Sequence, residues 1–463
     1  MDNTAKNDFT QGSVTATILK MAIPVIGAQL INLLYNLVDR MYIGRIPGEG
    51  ALALTGVGLA LPIVTLVAAF ASLCNYGGSP LCSIERGRGD LEKAARITGN
   101  AFTILIFFAV IITIPLFIFC KPVLMLLGAS EVTLPYAADY ARIYILGTPF
   151  VLVSMGMNGF INSQGFAKIG MMTVAIGAVL NIILDPVFIF ALGMGVKGAA
   201  LATMISQAVS AVWVIRFFTG KKAIIKLSLA SMKPHWPVIG RIFALGITGF
   251  CMQATTSVVQ TVCNVTLQNY GGDLYVGVMT VISAVREMTV LPVRGLGNGA
   301  EPVIGYNYGA KAYGRVARGA MVIAGCGLIY SLIYWSAIMF FPDSIIKIFN
   351  SDEALLSLGI PSIRRYFSMA LFMAFQFAGQ NTFVALGRAK FAVFFSLLRK
   401  VIITVPLVIL LPRINGLGAD GVFLAEPISA VVGSIACFST MLATVYFPMR
   451  KLDREQRLAA NQK

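Results

Sequence analysis

The carboxylates of Asp39 and Asp185 lie within long apolar runs, and each has an asparagine close by in the sequence. Asn36 precedes Asp39, and Asn181 precedes Asp185, by about one helical turn, so each pair shares a face if the runs are helical. Oxygen ligands of this kind bind hard cations, and two neighbouring carboxylates favour uptake of a proton because their charges repel. We therefore predict that these four residues form a cation or proton site. The alternative is structural: Asp39 pairs with the arginine that follows it, and Asp185 caps a kink at the next proline.

A second set of charged residues lies in apolar runs nearer the C-terminus. It combines basic and acidic side chains: Arg286, Glu287, Arg294, Arg399, Lys400 and Glu426. Ionisable groups in such runs are costly to bury, and they are usually paired or functional. The mixed signs predict an ion-pair network in which the charges neutralise one another. The alternative is a site that binds a substrate through its basic groups.

Composition indicates what kind of element holds these side chains. The chain has 463 residues, of which 57% are hydrophobic and only 12% are charged. A soluble protein carries about 25% charged residues, so this chain cannot cover the surface of soluble domains. We predict an all-α polytopic membrane protein, which excludes a soluble enzyme, a secreted disulfide scaffold and a disordered chain.

The excess of positive charge, formally +16, is interpreted as membrane topology. Lys and Arg concentrate in alternate loops, and by the positive-inside rule this places both termini in the cytoplasm. The predicted location is the cytoplasmic (inner) membrane, with no nucleic-acid partner. The sequence has no phosphate-binding loop or zinc-type spacing, and its one histidine is His235. We therefore expect no enzyme activity, no cofactor and no structural metal.

Apolar runs of about 20 residues mark the helices that cross the bilayer. The predicted spans are 17–43, 51–79, 97–119, 136–161, 169–192, 197–218, 241–269, 274–302, 319–341, 361–387, 390–412 and 417–447. Position along a helix gives depth at about 1.5 Å per residue. Asp39 then lies about 9 Å, and Asp185 about 12 Å, inside the same membrane boundary. The two carboxylates are therefore expected to meet.

The two halves of the chain resemble each other at a nearly constant offset. Pro80 corresponds to Pro302 and, with a slip of one residue, Gly195 corresponds to Gly418. An even number of spans in each copy makes the copies parallel repeats about an axis along the membrane normal. The predicted limits are 1–218 for the N-lobe, 219–240 for a cytoplasmic interlobe linker, 241–447 for the C-lobe and 448–463 for a basic cytoplasmic tail.

The sequence resembles the multidrug and toxic compound extrusion (MATE) family, in its MepA-like and DinF-like bacterial branches. The resemblance covers essentially the whole chain and is carried by LINLLYNLVDRMYIG (30–44), ALTGVGLALPI (53–63), LNIILDPVFIFALGMGVKGAALAT (180–203) and EPVIGYNYGAKAYGRV (301–316). It implies two six-helix bundles around a V-shaped central cavity, and antiport of organic cations against H⁺ or Na⁺. The family's N-lobe cation site carries over onto Asp39, Asn181 and Asp185.

Other polar side chains are predicted to line a substrate cavity. Gln29 and Asn32 continue the helix face of Asn36 and Asp39 at helical spacing. The predicted lining consists of Gln29, Asn32, Asn158, Gln253, Gln260 and Gln376.

The function expected from the sequence is a secondary active efflux antiporter. It would export organic cations and drugs in exchange for H⁺ or Na⁺ by alternating access of two lobes. We expect a monomer whose partners are these small molecules and the lipid bilayer. One alternative is a flippase for lipid-linked saccharides, which should present a basic cavity. Another is a passive channel, which would conduct without counter-ion flux.

Overall fold

The computed structural model describes residues 7–349, 352–414 and 416–462, apart from the side chain of Gln253. Regular structure in these ranges is helical. The first half contains α1 Val14–Gly44, α2 Gly50–Gly87, α3 Leu91–Ile118, α4 Cys120–Leu126, α5 Leu134–Gly156, α6 Asn158–Ser163, α7 Ala167–Pro186 and α8 Val196–Thr219. The second half contains α9 Trp236–Gly309, α10 Tyr313–Phe340, α11 Pro342–Lys347, α12 Glu353–Phe367, α13 Met373–Ala385, α14 Ala389–Leu397, α15 Val405–Leu410, α16 Ala419–Met441 and α17 Phe447–Asn461.

Irregular helical turns extend several of these helices. Wider π-helical turns follow α7, α14 and α16, at Val187–Ala191, Leu398–Thr404 and Leu442–Tyr446. Short 3₁₀ turns lie at Ala370–Phe372 and Leu411–Arg413. Such turns widen or tighten the backbone and often occur at functional positions in helices.

Ten helical stretches of the described chain are long and apolar enough to cross a membrane. One of them is α9, whose 74 residues contain two predicted spans on either side of a kink at Gly272 (φ 70°, ψ −166°). The predicted span at 361–387 is not among the ten because it is broken between α12 and α13. With these two differences, the all-α, two-repeat architecture with twelve spans is confirmed.

The break between α12 and α13 is stabilised by aromatic side chains of α10. Trp335 donates its indole N–H to the carbonyl of Ser368 at 3.0 Å, and the Tyr334 hydroxyl donates to the carbonyl of Ala370 at 3.2 Å. A helix that ends within a membrane leaves carbonyl groups that need hydrogen-bond donors. Trp335 supplies one to Ser368, and Tyr334 adds a second donor to the Ala370 carbonyl, which also accepts the backbone N–H of Met373.

Backbone geometry shows the duplication directly. Gly195 (φ 54°, ψ −131°) precedes α8, and Gly418 (φ 48°, ψ −132°) precedes α16, with nearly identical conformations that favour glycine. Gly89 has φ 80°, and its counterpart Lys311 has φ 59°, although it is not a glycine. The two halves therefore repeat uncommon local geometry as well as sequence motifs.

By packing, the chain divides into two compact units. The first contains Ile23–Gly249 with the described residues of Met1–Asp8, and the second contains Phe9–Ala22 with the described residues of Phe250–Lys463. Helices α1 and α9 each contribute to both units. The packing units thus differ from the predicted lobes at both ends of the first unit. The lobe limits describe bodies that move, and they stay a prediction.

Small residues allow helices to cross closely within each unit. In the first unit, Gly77 of α2 lies against the backbone of Ile242, and Gly246 lies against the backbone of Leu73. In the second unit, Gly299, the counterpart of Gly77, lies against the backbone of Ala22. Close backbone approach on small residues is typical of helix packing in membranes.

The predicted interlobe linker is bound to the first unit by hydrogen bonds. The Asn100 amide donates to the carbonyls of Ser231 and Lys233, and its oxygen accepts the backbone N–H of His235 at 2.7 Å. Gln164 Oε1 accepts the backbone N–H of Ile225 at 2.8 Å. The segment is therefore folded onto the first unit at several points rather than extended.

Candidate functional site

The carboxyl groups of Asp39 on α1 and Asp185 on α7 lie within hydrogen-bonding range of each other in the first unit. Asp39 is 8% exposed and Asp185 is fully buried. Two ionised carboxylates repel, and neither carries a proton to donate, so their closeness favours a proton or cation between them. The structure thus brings together the two carboxylates whose depths match.

Asn181 connects this pair to α8. Its amide nitrogen donates to Asp185 Oδ1 at 3.2 Å and to the Thr203 hydroxyl oxygen at 3.3 Å. Asn181 and Asp185 are one turn apart on α7, so their side chains lie on one face of the helix. The cluster therefore joins three helices through oxygen-bearing side chains.

Three oxygen atoms of the cluster lack a hydrogen-bond donor. Among the described residues, no donor reaches Asp39 Oδ1, Asn181 Oδ1 or Asp185 Oδ2, and all three atoms are buried. A buried acceptor without a donor costs about 1–3 kcal/mol. Carboxylate, amide and hydroxyl oxygens are the ligands that hard cations prefer, and a carboxylate also takes up a proton. The donor set therefore fits either H⁺ or Na⁺.

Aromatic side chains surround the carboxylates. Tyr140 of α5 lies close enough to Asp39 and Asp185 to interact with their charges, and Tyr35 of α1 does the same. Tyr140 stacks on Tyr144, with ring centroids 6.1 Å apart and planes inclined by 11°. Buried rings lower the local dielectric and so strengthen electrostatic interactions between the carboxylates.

The backbone changes immediately after Asp185. Pro186 is the last residue of α7, and in the π-helical turn that follows, Leu192 N–H donates to the carbonyl of Val187 at 2.9 Å. Proline and π-turns are two recognised causes of helix bending. A charge change at Asp185 therefore occurs next to a point where the helix bends.

The polar face of α1 extends beyond the cluster. Asn32 and Asn36 are exposed, Gln29 is half-buried, and the Asn36 amide donates to the carbonyl of Asn32 at 2.6 Å. The structure thus gives Asn36 a backbone partner and places it outside the contacts of Asp39, Asn181 and Asp185. The polar face is present, but a role for it stays a prediction.

The other predicted cavity residues occupy different surroundings. Asn158 donates to the carbonyl of Gly170 at 3.0 Å, whereas Gln260 donates to Asn264 at 3.1 Å and accepts from Ser283 at 3.0 Å. Gln376 is 2% exposed. The side chain of Gln253 lies outside the described residues. Among the side chains that the structure describes, no hydrogen bond joins these residues into one site within either unit, and their assignment as cavity residues stays a prediction.

The six charged residues predicted to form a network contain two ion pairs in the described structure. Arg399, in the π-turn after α14, is buried and forms an ion pair with Glu426 of α16. Arg294 and Glu287, both on α9, form a more exposed pair at 3.1 Å. Part of the predicted ion-pair network is therefore present.

Two basic residues of the set have no acidic partner. Within the described chain, neither Arg286 nor Lys400 forms a salt bridge. Lys400 donates instead to the Thr256 hydroxyl, which itself donates to the carbonyl of Met252 at 2.8 Å. Charge neutralisation in this part of the second unit is thus incomplete.

Sequence reasoning did not identify Tyr35, Tyr140, Tyr144 and Thr203 as neighbours of the carboxylates. The spacing of Tyr140 and Tyr144 by one helical turn is a signal that was available. Thr203 carries no such signal, because threonine is common in membrane helices.

Comparison with known proteins gives consistent matches. The MatE family model matches residues 24–187 and 250–410. "Multidrug export protein MepA" from Staphylococcus haemolyticus is 24% identical over 433 residues, covering 93% of this chain and 95% of that protein. Among solved structures, "Crystal structure of MATE in the bent conformation" superposes with a TM-score of 0.89 at 22% identity, covering 98% and 99% of the two chains. "Outward-facing conformation of a multidrug resistance MATE family transporter of the MOP superfamily" gives 0.87 at 22% identity, covering 96% and 98%.

Proposed function

The chain belongs to the MatE family, and from this premise we propose that it is a secondary active antiporter that exports organic cations and drugs in exchange for H⁺ or Na⁺. The observation that carries the proposal is the buried pair Asp39 and Asp185 with acceptor oxygens that no described donor reaches. The name of the staphylococcal relative, a multidrug export protein, supports the substrate class.

The coupling chemistry follows from the two carboxylates. When one is protonated, its O–H donates to the other, and repulsion becomes a hydrogen bond. A Na⁺ ion bound by Asp39, Asp185, Asn181 and the Thr203 hydroxyl would neutralise the same charges. Loading with either ion draws α1 and α7 together, and unloading separates them.

Helix bending converts this local change into transport. Asp39 and Asp185 lie on different helices, and the π-turn after Pro186 gives α7 a point at which to bend. An ion that binds one helix arrangement more tightly shifts the population between inward-open and outward-open states. We place the protein in the bacterial cytoplasmic membrane as a monomer, with both termini in the cytoplasm.

The test is export driven by an imposed gradient. Purified protein in liposomes is given a pH gradient or a Na⁺ gradient, and movement of the cationic dye ethidium is followed by fluorescence. We expect one of the two gradients to drive dye movement in the unmodified protein and not in Asp39→Asn or Asp185→Asn. The matched control is Asp343→Asn, which removes an exposed carboxylate paired with Lys347 at 2.8 Å.

Each other outcome has a definite meaning. If Asp185→Asn moves dye at the unmodified rate, the site assignment is wrong. If dye moves down its own gradient with no response to either ion, the protein is a channel rather than an antiporter.

A flippase for lipid-linked saccharides is the second candidate, and the basic residues Arg286 and Lys400 favour it. Its substrate carries phosphate, which such side chains bind. Transfer of a fluorescent polyprenyl-phosphate saccharide between leaflets, lost in Lys400→Gln and retained in Asp185→Asn, would favour this candidate over the antiporter.

A further inference from the structure

In one region of the second unit, where Arg399 is buried and its charged neighbours are half-buried, basic side chains outnumber acidic ones. Arg286 of α9 lies near Arg399 and Lys400 of the π-turn after α14, and near two carboxylates, Glu426 and Glu287. Both carboxylates are already in ion pairs, Glu426 with Arg399 and Glu287 with Arg294. We call Arg286, Arg399 and Lys400 the basic cluster.

The members of the basic cluster are near enough to act on one another's charge. Lys400 interacts electrostatically with both arginines and with Glu426. Two nitrogen atoms of the cluster, Arg286 Nε and Arg399 Nε, are buried and reach no acceptor in the described chain. Because Glu426 and Glu287 are each paired with an arginine, Arg286 and Lys400 are left among the described residues without a carboxylate of their own, and their donors can bind a further negative group.

The backbone is adapted to hold Arg399 at this place. A methyl group on Gly433 of α16 would collide with the stem of Arg399, so only glycine leaves room for the side chain. Thr404 donates its hydroxyl to the carbonyl of Arg399 at 2.9 Å across the π-turn. At the equivalent place in the first unit, Gly177 faces Ser210. The cluster is therefore a specific addition to the second unit.

We propose that the basic cluster is a subsite for an anionic oxygen group, a carboxylate or a phosphate, carried by an amphiphilic molecule. Guanidinium and ammonium groups are the donors that bind such groups most strongly. Lys400 donates one hydrogen bond to the uncharged Thr256 hydroxyl, and an ammonium group has two further donors for an anion. The inference rests on the proposed export function for its substrate class, which it narrows to amphiphiles that carry an anionic group beside their cationic one.

The test compares two dyes that differ only at the anionic group, rhodamine B with its free carboxylate and rhodamine B ethyl ester. Binding to the purified full-length protein in an uncharged detergent is measured by fluorescence anisotropy. We expect the carboxylate dye to bind more tightly than the ester. Lys400→Gln and Arg286→Gln should each weaken binding of the carboxylate dye by about tenfold and leave the ester unchanged, since each removes one charged hydrogen bond.

Two control variants distinguish an effect of the lost charge on dye binding from an effect on folding. Arg294→Gln removes an arginine of the same helix that is already paired with Glu287, and it should leave both affinities unchanged. Lys400→Arg keeps the positive charge and should retain the preference for the carboxylate. Equal binding of the two dyes by the unmodified protein, or equal weakening of both dyes in Lys400→Gln, would overturn the proposal.

Competition identifies the source of the anion. Displacement of the carboxylate dye by inorganic phosphate supports a site for a small anion or an anionic group of a substrate. Displacement by short-chain phosphatidylglycerol but not by phosphate supports a lipid headgroup. Displacement by neither would count against the basic cluster as an anion site. The binding assay uses no ion gradient. If the protein binds the carboxylate dye as expected but shows no ion-driven export, the antiporter proposal is wrong and the anion subsite stands.

Discussion

In the first unit, Asn181 on α7 reaches Thr203 on α8, beside two carboxylates. In the second unit, the helix pair that the duplication makes equivalent joins Arg399 to Glu426, beside two further basic side chains. Thr203 and Glu426 are counterparts in the repeat. Equivalent helices therefore carry a group of carboxylates in one copy and a group of basic side chains in the other. The duplication supplies two similar scaffolds, and on the proposals made above the difference in charge would allow them to bind opposite kinds of group.

Loss of Glu426, the carboxylate partner of the buried Arg399, should have the largest effect on stability. Glu426→Gln leaves the buried cation Arg399 without its partner, and we expect a loss of about 3–5 kcal/mol in the free energy of unfolding. Chemical unfolding in detergent measures it. Glu287→Gln, which breaks the more exposed pair with Arg294, should lose only about 0–1 kcal/mol. Equal losses would show that Arg399 does not depend on Glu426.

The two copies are alike in the glycine turns that precede α8 and α16. Gly195→Ala and Gly418→Ala each place a side chain on a backbone with positive φ, although no atom lies close enough to clash with it. We expect each to destabilise the protein by about 1–3 kcal/mol, and by similar amounts, because the strain is the same. Gly58→Ala in α2, also without a nearby atom, should instead be neutral or stabilising. Markedly unequal losses would mean that the two turns are not equivalent.

A smaller effect is expected at the first unit's counterpart of Glu426. Thr203→Val removes one acceptor of the Asn181 amide and should cost about 1 kcal/mol. If Na⁺ is the coupling ion, the variant should also need more Na⁺ for half-maximal export. Thr219→Val is the control, because its hydroxyl donates to the Ile215 carbonyl on an exposed part of the same helix. A loss in the free energy of unfolding as large as that of Glu426→Gln would show that the two equivalent positions contribute equally to stability.

The smallest effect concerns the ends of two equivalent helices. Asp90 caps α3 by accepting the Lys93 N–H at 2.9 Å, whereas its counterpart Ala312 gives α10 no such cap. Asp90→Ala should lower the thermal unfolding midpoint slightly, and Ala312→Asp should raise it. The hydrogen bonds from Lys93 hold the pKa of Asp90 below its ordinary value.

The pH dependence of this cap has a definite sign. A carboxyl group with a lowered pKa in the folded state stabilises the fold above its unfolded pKa of about 3.9 and loses that effect as the pH falls. The difference between Asp90→Ala and the unmodified protein should therefore be present at neutral pH and shrink in acid. A difference that does not depend on pH would show that the ionised cap contributes nothing.

Depth along a helix was predictable from the sequence, because each residue of an α-helix advances by a fixed rise. That is why Asp39 and Asp185 could be paired before the structure was known. Rotation about the helix axis and the identity of neighbours depend on tertiary packing. Tyr140 and Thr203 therefore became visible as members of the site only in the structure.

The sequence also does not show which charged residues of the second unit form ion pairs with one another. A mixture of signs predicts neutralisation, but it does not say which groups are in reach of one another. The structure pairs Arg399 with Glu426 and leaves Lys400 with a hydroxyl. The sequence also predicts one continuous span where the structure has α12 and α13, because the apolar pattern runs through the break. Hydrogen bonds from two side chains of α10 stabilise the backbone at that break.

The difference in size between equivalent residues of the two halves limits which segments could replace one another. The space for Arg399 is provided by Gly433 on another helix, whereas the equivalent positions in the first unit are Gly177 and Ser210. Recombination that copied only the segment of Arg399 into the first half would set an arginine stem against Ser210. A chain with Gly177→Arg is therefore expected to need Ser210→Gly as well before the arginine can be accommodated.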